Sequence, residues 1–78
     1  MFIYVKRDGI LYYVMTINFF SLSFTKQLDN AKLYHSEKDA YSDMCKIYVQ
    51  LLKKKEKIDD IGIQYDDNTI KSISEFAM

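Results

Sequence analysis

Two side chains of this chain, His35 and Cys45, belong to the types that carry out nucleophilic or metal chemistry. A structural zinc site uses four ligands, usually several Cys and His at short spacing, and one of each is too few. A Cys–His nucleophilic pair needs both side chains within hydrogen-bond reach. Cys45 is expected more than two helical turns beyond the helix start at which His35 lies. We therefore predict no enzyme, metal or cofactor site, and we interpret Cys45 as a buried thiol.

Two pairs of adjacent carboxylates, Asp59-Asp60 and Asp66-Asp67, flank a predicted strand. Carboxylate oxygens suit a divalent cation, but the order Asp-x-Asp-x-Asp-Gly of a calcium loop does not occur here. Solvated turn residues are the simpler interpretation. A negative patch that imitates a phosphate backbone is a second one.

Basic side chains that could contact phosphate occur in two places, Lys6-Arg7 and Lys53-Lys54. Together with aromatic residues that stack on bases, they would suit a nucleotide or a single-stranded nucleic acid. The net charge of zero and the lack of a Gly-rich phosphate loop do not favour this. Lysines at the end of a helix also complement its dipole, which needs no ligand.

The beginning of the chain predicts an aromatic β-hairpin that is apolar on both faces. Asp8-Gly9 is a two-residue turn signal, which places Tyr4 opposite Tyr13 and Arg7 opposite Ile10. One face then carries Ile3, Val5, Ile10, Tyr12 and Val14. The other face carries Phe2, Tyr4, Leu11, Tyr13 and Met15. A small domain covers one face with its own core, so we expect the second set to contact a partner or a second copy. The sequence leaves open which set meets the helix.

The remaining elements predict an α+β fold in one domain, residues 1–78. Residues 20–25 alternate apolar and polar, which predicts a third strand after a turn or bulge around residues 16–18. Ser36 predicts a helix start, and the helix is expected from Glu37 to Lys55. Residues 61–65 predict a fourth strand, and residues from Thr69 onward fit a strand or a short helix. The expected architecture is a three- to four-stranded antiparallel sheet, β-β-β-α-β, with one long helix on one face.

Apolar residues at helical spacing give the expected core side of that helix. The stripe that we predict consists of Ala40, Tyr41, Met44, Cys45, Tyr48, Leu51 and Leu52, with Ile47 and Val49 at its margins.

The length and composition favour self-association in a reducing compartment. A chain of 78 residues buries only about 60% of the surface of its unfolded form. One Cys allows no internal disulfide, so oligomerisation is the remaining source of stability. No apolar run approaches a membrane span, and the start lacks the order of a signal peptide. We therefore expect a cytoplasmic homodimer or higher oligomer without a membrane partner.

The stretch from Phe24 to Tyr34, FTKQLDNAKLY, followed by SEKDA at residues 36–40, resembles small uncharacterised proteins of phages and mobile elements in low-GC Gram-positive bacteria. The resemblance implies an accessory protein, and many such proteins disable host defences by binding, as anti-CRISPR proteins do. It carries over no catalytic or binding residue.

These observations lead to one functional expectation and two alternatives. We expect a non-enzymatic inhibitor or adaptor in the cytoplasm of a bacterial host, which binds a host protein through Phe2, Tyr4, Leu11, Tyr13 and Met15. The first alternative is an oligomer that sequesters a nucleotide, with Lys6 or Arg7 on the phosphate. The second is a single-stranded nucleic-acid binder that uses Lys53 and Lys54.

Overall fold

The computed structural model describes residues 1–18 and 21–76, and within them a five-stranded antiparallel sheet carries one long helix on one face. The elements are β1 (Phe2–Arg7), β2 (Ile10–Ile17), β3 (Leu22–Thr25), a 3₁₀ turn (Leu28–Asn30), α1 (Glu37–Lys53), β4 (Asp60–Gln64), β5 (Ile70–Ser72) and α2 (Ile73–Phe76). The strand order is β3-β2-β1-β4-β5. The α+β class is confirmed, and the sheet has one strand more than the largest sheet that we predicted.

The N-terminal hairpin has the predicted turn and register. Asp8 and Gly9 both have positive φ, 53° and 78°, as the tight turn between β1 and β2 requires. Tyr4 lies opposite Tyr13 and Arg7 opposite Ile10. The turn is also held from outside, because the Gly9 N–H donates to Asp59 Oδ2 at 3.1 Å.

A β-bulge interrupts the pairing of β2 with β3. Val14 pairs with Phe24, whereas Thr16 pairs with Ser23, so Met15 is the extra residue between them. Because of this extra residue, Thr16 occupies the side of β2 on which simple alternation of side chains had placed Met15. Leu22 and Phe24 pack against the core as predicted, while the prediction for Phe20 lies outside the described residues.

Helix α1 begins where the sequence predicted. The Ser36 side chain caps it by accepting the Asp39 N–H at 3.4 Å. The helix ends at Lys53, two residues before the predicted end, and Lys55 has a left-handed φ of 58° that cannot continue an α-helix.

The buried side of α1 differs from the predicted stripe by a rotation. Its buried residues are Ala40, Met44, Ile47 and Leu51. Ile47, which we placed at the margin, is fully buried, whereas Tyr41 and Leu52 are exposed, Leu52 by 56%. Successive helix residues are about 100° apart, so the neighbours of this buried line turn away from the sheet.

The hairpin face that meets α1 is the one with Ile3, Val5 and Val14, which join the core. Strand β4 lies beside β1, with Ile63 opposite Ile3 and Ile61 opposite Val5. Both alternatives for the residues after Thr69 occur in succession, because β5 is followed directly by α2. The side chains of Ile73 and Phe76 also pack against this core.

Candidate functional site

The sheet has a second face opposite α1, which we call the outer face. Paired residues of antiparallel strands point to the same side, so the register defines its members. One row crosses all five described strands and consists of Thr25, Tyr13, Tyr4, Gly62 and Ser72. A second row holds Phe2, Gln64 and Ile70, and a third holds Leu11, Lys6 and Asp60. Four of the five predicted contact residues, namely Phe2, Tyr4, Leu11 and Tyr13, therefore share this face.

Tyr4 is fully buried at the centre of the outer face. Its ring lies against Gly62, where a side chain would collide with it. The Tyr4 hydroxyl donates to Asp60 Oδ2 at 2.7 Å, and the Ser72 hydroxyl donates to Asp60 Oδ1 at 2.6 Å. Tyr4 thus joins β1 to β4 and β5 and presents no accessible area to a partner. A direct contact role for it is not supported, since the structure uses this ring for packing.

Tyr13 makes the second polar link on this face. Its hydroxyl donates to Gln64 Oε1 at 2.9 Å, and the Phe2 ring contacts the Tyr13 ring edge-on, with centroids 6.4 Å apart. Gln64 is only 7% exposed, although it is a polar residue on a face without a helix. Sequence reasoning missed Gln64, but the alternation of residues 61–64 would have assigned it to the same side as Gly62.

The accessible apolar part of the outer face lies around these links. Phe2, Leu11 and Tyr13 are half-buried, and Ile70 is 51% exposed. Met15 is exposed at the bulge. Sequence reasoning also missed Ile70, because the residues after Thr69 did not distinguish a strand from a helix. The described helices place their core residues on the opposite face of the sheet.

The four basic residues proposed for phosphate do not share one face. Lys6 lies on the outer face between Leu11 and Asp60, whereas alternation turns Arg7 to the other side. Arg7 Nη2 lies 3.4 Å from Glu56 Oε2, so a carboxylate already neighbours this cation. Lys53 and Lys54 are exposed at the end of α1. The arrangement does not combine Lys6 and Arg7 into one anion site.

Each carboxylate of the two Asp pairs has a separate structural contact. Asp59 accepts the Gly9 N–H, and Asp60 accepts the hydroxyls on the outer face. Asp66 forms an ion pair with the Met1 amino group at 2.9 Å. Asp67 accepts the Thr69 hydroxyl at 2.6 Å and the Thr69 N–H, and these bonds lower the pKa of Asp67.

The remaining chemistry-bearing residues form no site in the part of the chain that the structure describes. Residues 1–18 and 21–76 contain no group of three or more His, Cys, Asp or Glu that could hold a metal ion. His35 is exposed, and Cys45 is half-buried rather than fully buried as predicted. Its helix position places it between the buried line and the exposed side.

Comparison of the chain with models of protein families, with curated proteins and with solved structures gave no match. None of the helices in the described ranges is long and apolar enough to cross a membrane.

Alkaline titration should distinguish Tyr4 and Tyr34 from the exposed tyrosines. Burial raises the pKa of both hydroxyls, and their hydrogen bonds to Asp60 and Asp43 raise it further. A tyrosine whose pKa is higher in the folded than in the unfolded state favours folding while it stays protonated. Its contribution to stability is complete below the unfolded pKa of about 10 and is lost as the pH rises above that pKa. We expect absorbance at 295 nm to show these two ionising last, together with loss of the far-ultraviolet circular dichroism.

The Tyr4→Phe variant is the matched control for this titration. It should remove one of the two late-ionising groups and leave the earlier part of the curve unchanged. If all seven tyrosines ionised together near pH 10 in a protein that stays folded, the burial of Tyr4 and Tyr34 would be refuted.

Proposed function

We propose that this chain is a non-enzymatic accessory protein of the phage type, which inhibits a host protein by binding it through the outer face. The observation that carries the proposal is the combination of accessible apolar side chains and internally satisfied polar groups on that face. A protein surface that binds must lose its water, and polar groups without partners make this costly. Here Tyr4, Tyr13, Gln64 and Ser72 already have partners within the sheet.

The accessible residues are of the types that give binding energy. Phe2 and Tyr13 are aromatic, so each buries a large area while few torsions become fixed. Tyrosine is also enriched among residues that dominate binding energy. Leu11 and Ile70 extend the apolar area around the two rings, and Met15 is exposed at the bulge in β2. The predicted contact role of Phe2, Leu11, Tyr13 and Met15 therefore stays in the proposal, with Ile70 added.

The charges of the face favour a protein over a nucleic acid. The paired strand positions of the outer face carry one cation, Lys6, and one anion, Asp60. Binding to nucleic acid depends on several cations that neutralise phosphates together. The nucleotide alternative uses Lys6 or Arg7 on the phosphate, and the single-strand alternative uses Lys53 and Lys54, which lie at the end of α1. No observation on the outer face favours either alternative.

The test is site-specific photo-crosslinking in low-GC Gram-positive cells, the host class that the resemblance implies. The photoreactive residue p-benzoylphenylalanine would replace Leu11 on the outer face, or Val49 on the exposed side of α1 as a matched control. We expect a covalent adduct with one host protein from position 11 only. The adduct should disappear from position 11 when Ile70→Lys is added to the same chain.

The outcome that contradicts the proposal is equally specific. An adduct from position 49 alone, equal adducts from both positions, or none from either would show that the outer face does not bind a host protein.

A further inference from the structure

We propose that a second copy of this chain occupies the outer face when no host protein does, so that two sheets stack face to face with α1 on the outside. This inference assigns a second partner to the face that the proposed function uses. It rests on the proposed function only in the choice of that face. Target binding and self-association would then use the same residues and exclude one another.

The charge pattern suits a copy of the same chain. Among the paired positions of the outer face, charged side chains occur only in the row of Leu11, Lys6 and Asp60, one of each sign. The other two rows, which contain Tyr4 and Phe2, are uncharged. In a twofold interface the same patch meets itself, so a charged patch would repel its copy. The outer face avoids that repulsion because its two charges offset one another.

The size of the face indicates a weak dimer. The five strands have three to eight residues, about five on average, and lie about 4.8 Å apart, so the face covers roughly 24 by 17 Å, or about 400 Å². Two copies would bury about 800 Å² together, which is below the area of about 1,000 Å² that a stable specific interface needs and within the range of transient contacts. We therefore expect a dimer that forms only at high micromolar to millimolar concentrations and that a tighter host partner displaces.

Stacking is favoured over extension of the sheet at its β5 edge. An edge strand can pair with another chain only through free backbone groups. The Ser72 N–H donates to Glu75 Oε2 at 2.7 Å, so the short helix after β5 occupies this donor. Lys71 lies in the middle of this three-residue strand, and a charged side chain there further disfavours pairing of β5 with a strand of another chain.

Sedimentation equilibrium between about 10 μM and 1 mM protein tests the inference, a range that spans the weak affinities typical of small interfaces. The mass should rise from 9.3 kDa toward twice that value as the concentration increases. Leu11→Lys and Ile70→Lys should each weaken self-association at least tenfold, because each would bury an added cation in the interface. Val49→Lys is the control and should not change it, and circular dichroism checks that all variants are folded.

The outcomes separate this inference from the proposed function. A monomer at every concentration, or loss of the dimer in Val49→Lys but not in the outer-face variants, would overturn the stacked dimer. If the monomer still gives a host adduct from position 11, the proposed function stands alone. If the dimer forms and no adduct appears, self-association stands and host binding through this face fails.

Discussion

Replacing Gly62 with alanine should destabilise the fold by about 3 kcal/mol, which is the upper end of the usual cost of overpacking. A methyl group at this position would overlap the carbonyl oxygen of Lys71 and lie 2.7 Å from the Tyr4 ring. The carbonyl belongs to the backbone of β5, so the clash is relieved only if β5 moves away from β4. That movement would also disturb the hydrogen bonds that join Tyr4 and Ser72 to Asp60.

Urea denaturation measures this effect, and Gly9→Ala is the matched control. Gly9 has a φ of 78°, but nothing lies within 4 Å of a side chain added there. Its replacement should therefore cost only the strain of a left-handed backbone, roughly 1–2 kcal/mol. Equal losses for Gly62→Ala and Gly9→Ala would show that the close approach of Tyr4 and Lys71 to Gly62 does not exist.

Replacing Ile47 with alanine should cost about 2–5 kcal/mol, because it leaves a cavity between α1 and the sheet. Ile47 is fully buried, whereas Val49, two residues further along the helix, is 47% exposed. Val49→Ala should change the free energy of unfolding by no more than about 0.5 kcal/mol. A larger loss for Val49→Ala than for Ile47→Ala would mean that α1 has a different rotation about its axis.

These losses are large for a chain of this size. Domains have roughly 0.05–0.15 kcal/mol of stability per residue, which gives about 4–12 kcal/mol for 78 residues. A loss of 3 kcal/mol should lower the melting temperature by about 12–24 °C. Thermal unfolding followed by circular dichroism should therefore show both Gly62→Ala and Ile47→Ala clearly, even if the native stability is low.

Features set by neighbouring residues could be predicted. The hairpin register depends on Asp8 and Gly9, whose backbone conformation decides which residues are opposite one another. The start of α1 depends on Ser36, which satisfies a free N–H within three residues. The place of Phe2, Tyr4, Leu11 and Tyr13 on one face of the hairpin follows from the same turn and from the alternation of side chains.

Features that depend on distant residues could not be predicted. Tyr4 is buried because β4 brings Gly62 and Asp60 beside it, 58 and 56 positions along the chain. Ile70 belongs to the outer face only because β5 pairs with β4, and the isolated pattern of residues 70–76 fits a helix as well as a strand. The prediction that Leu52 is on the core side was wrong, since the helix rotation is set by the sheet.

The sequence by itself determined an aromatic hairpin with two apolar faces, a capped helix and an α+β arrangement of them, because turns, caps and periodicity act over a few residues. Only the tertiary structure decided which face the helix covers. Both faces carry enough apolar area to form a core, so the choice depends on β4. Its alternation places Ile61 and Ile63 beside Ile3 and Val5 under the helix, and turns Gly62 and Gln64 to the outer face, where they accommodate Tyr4 and Tyr13.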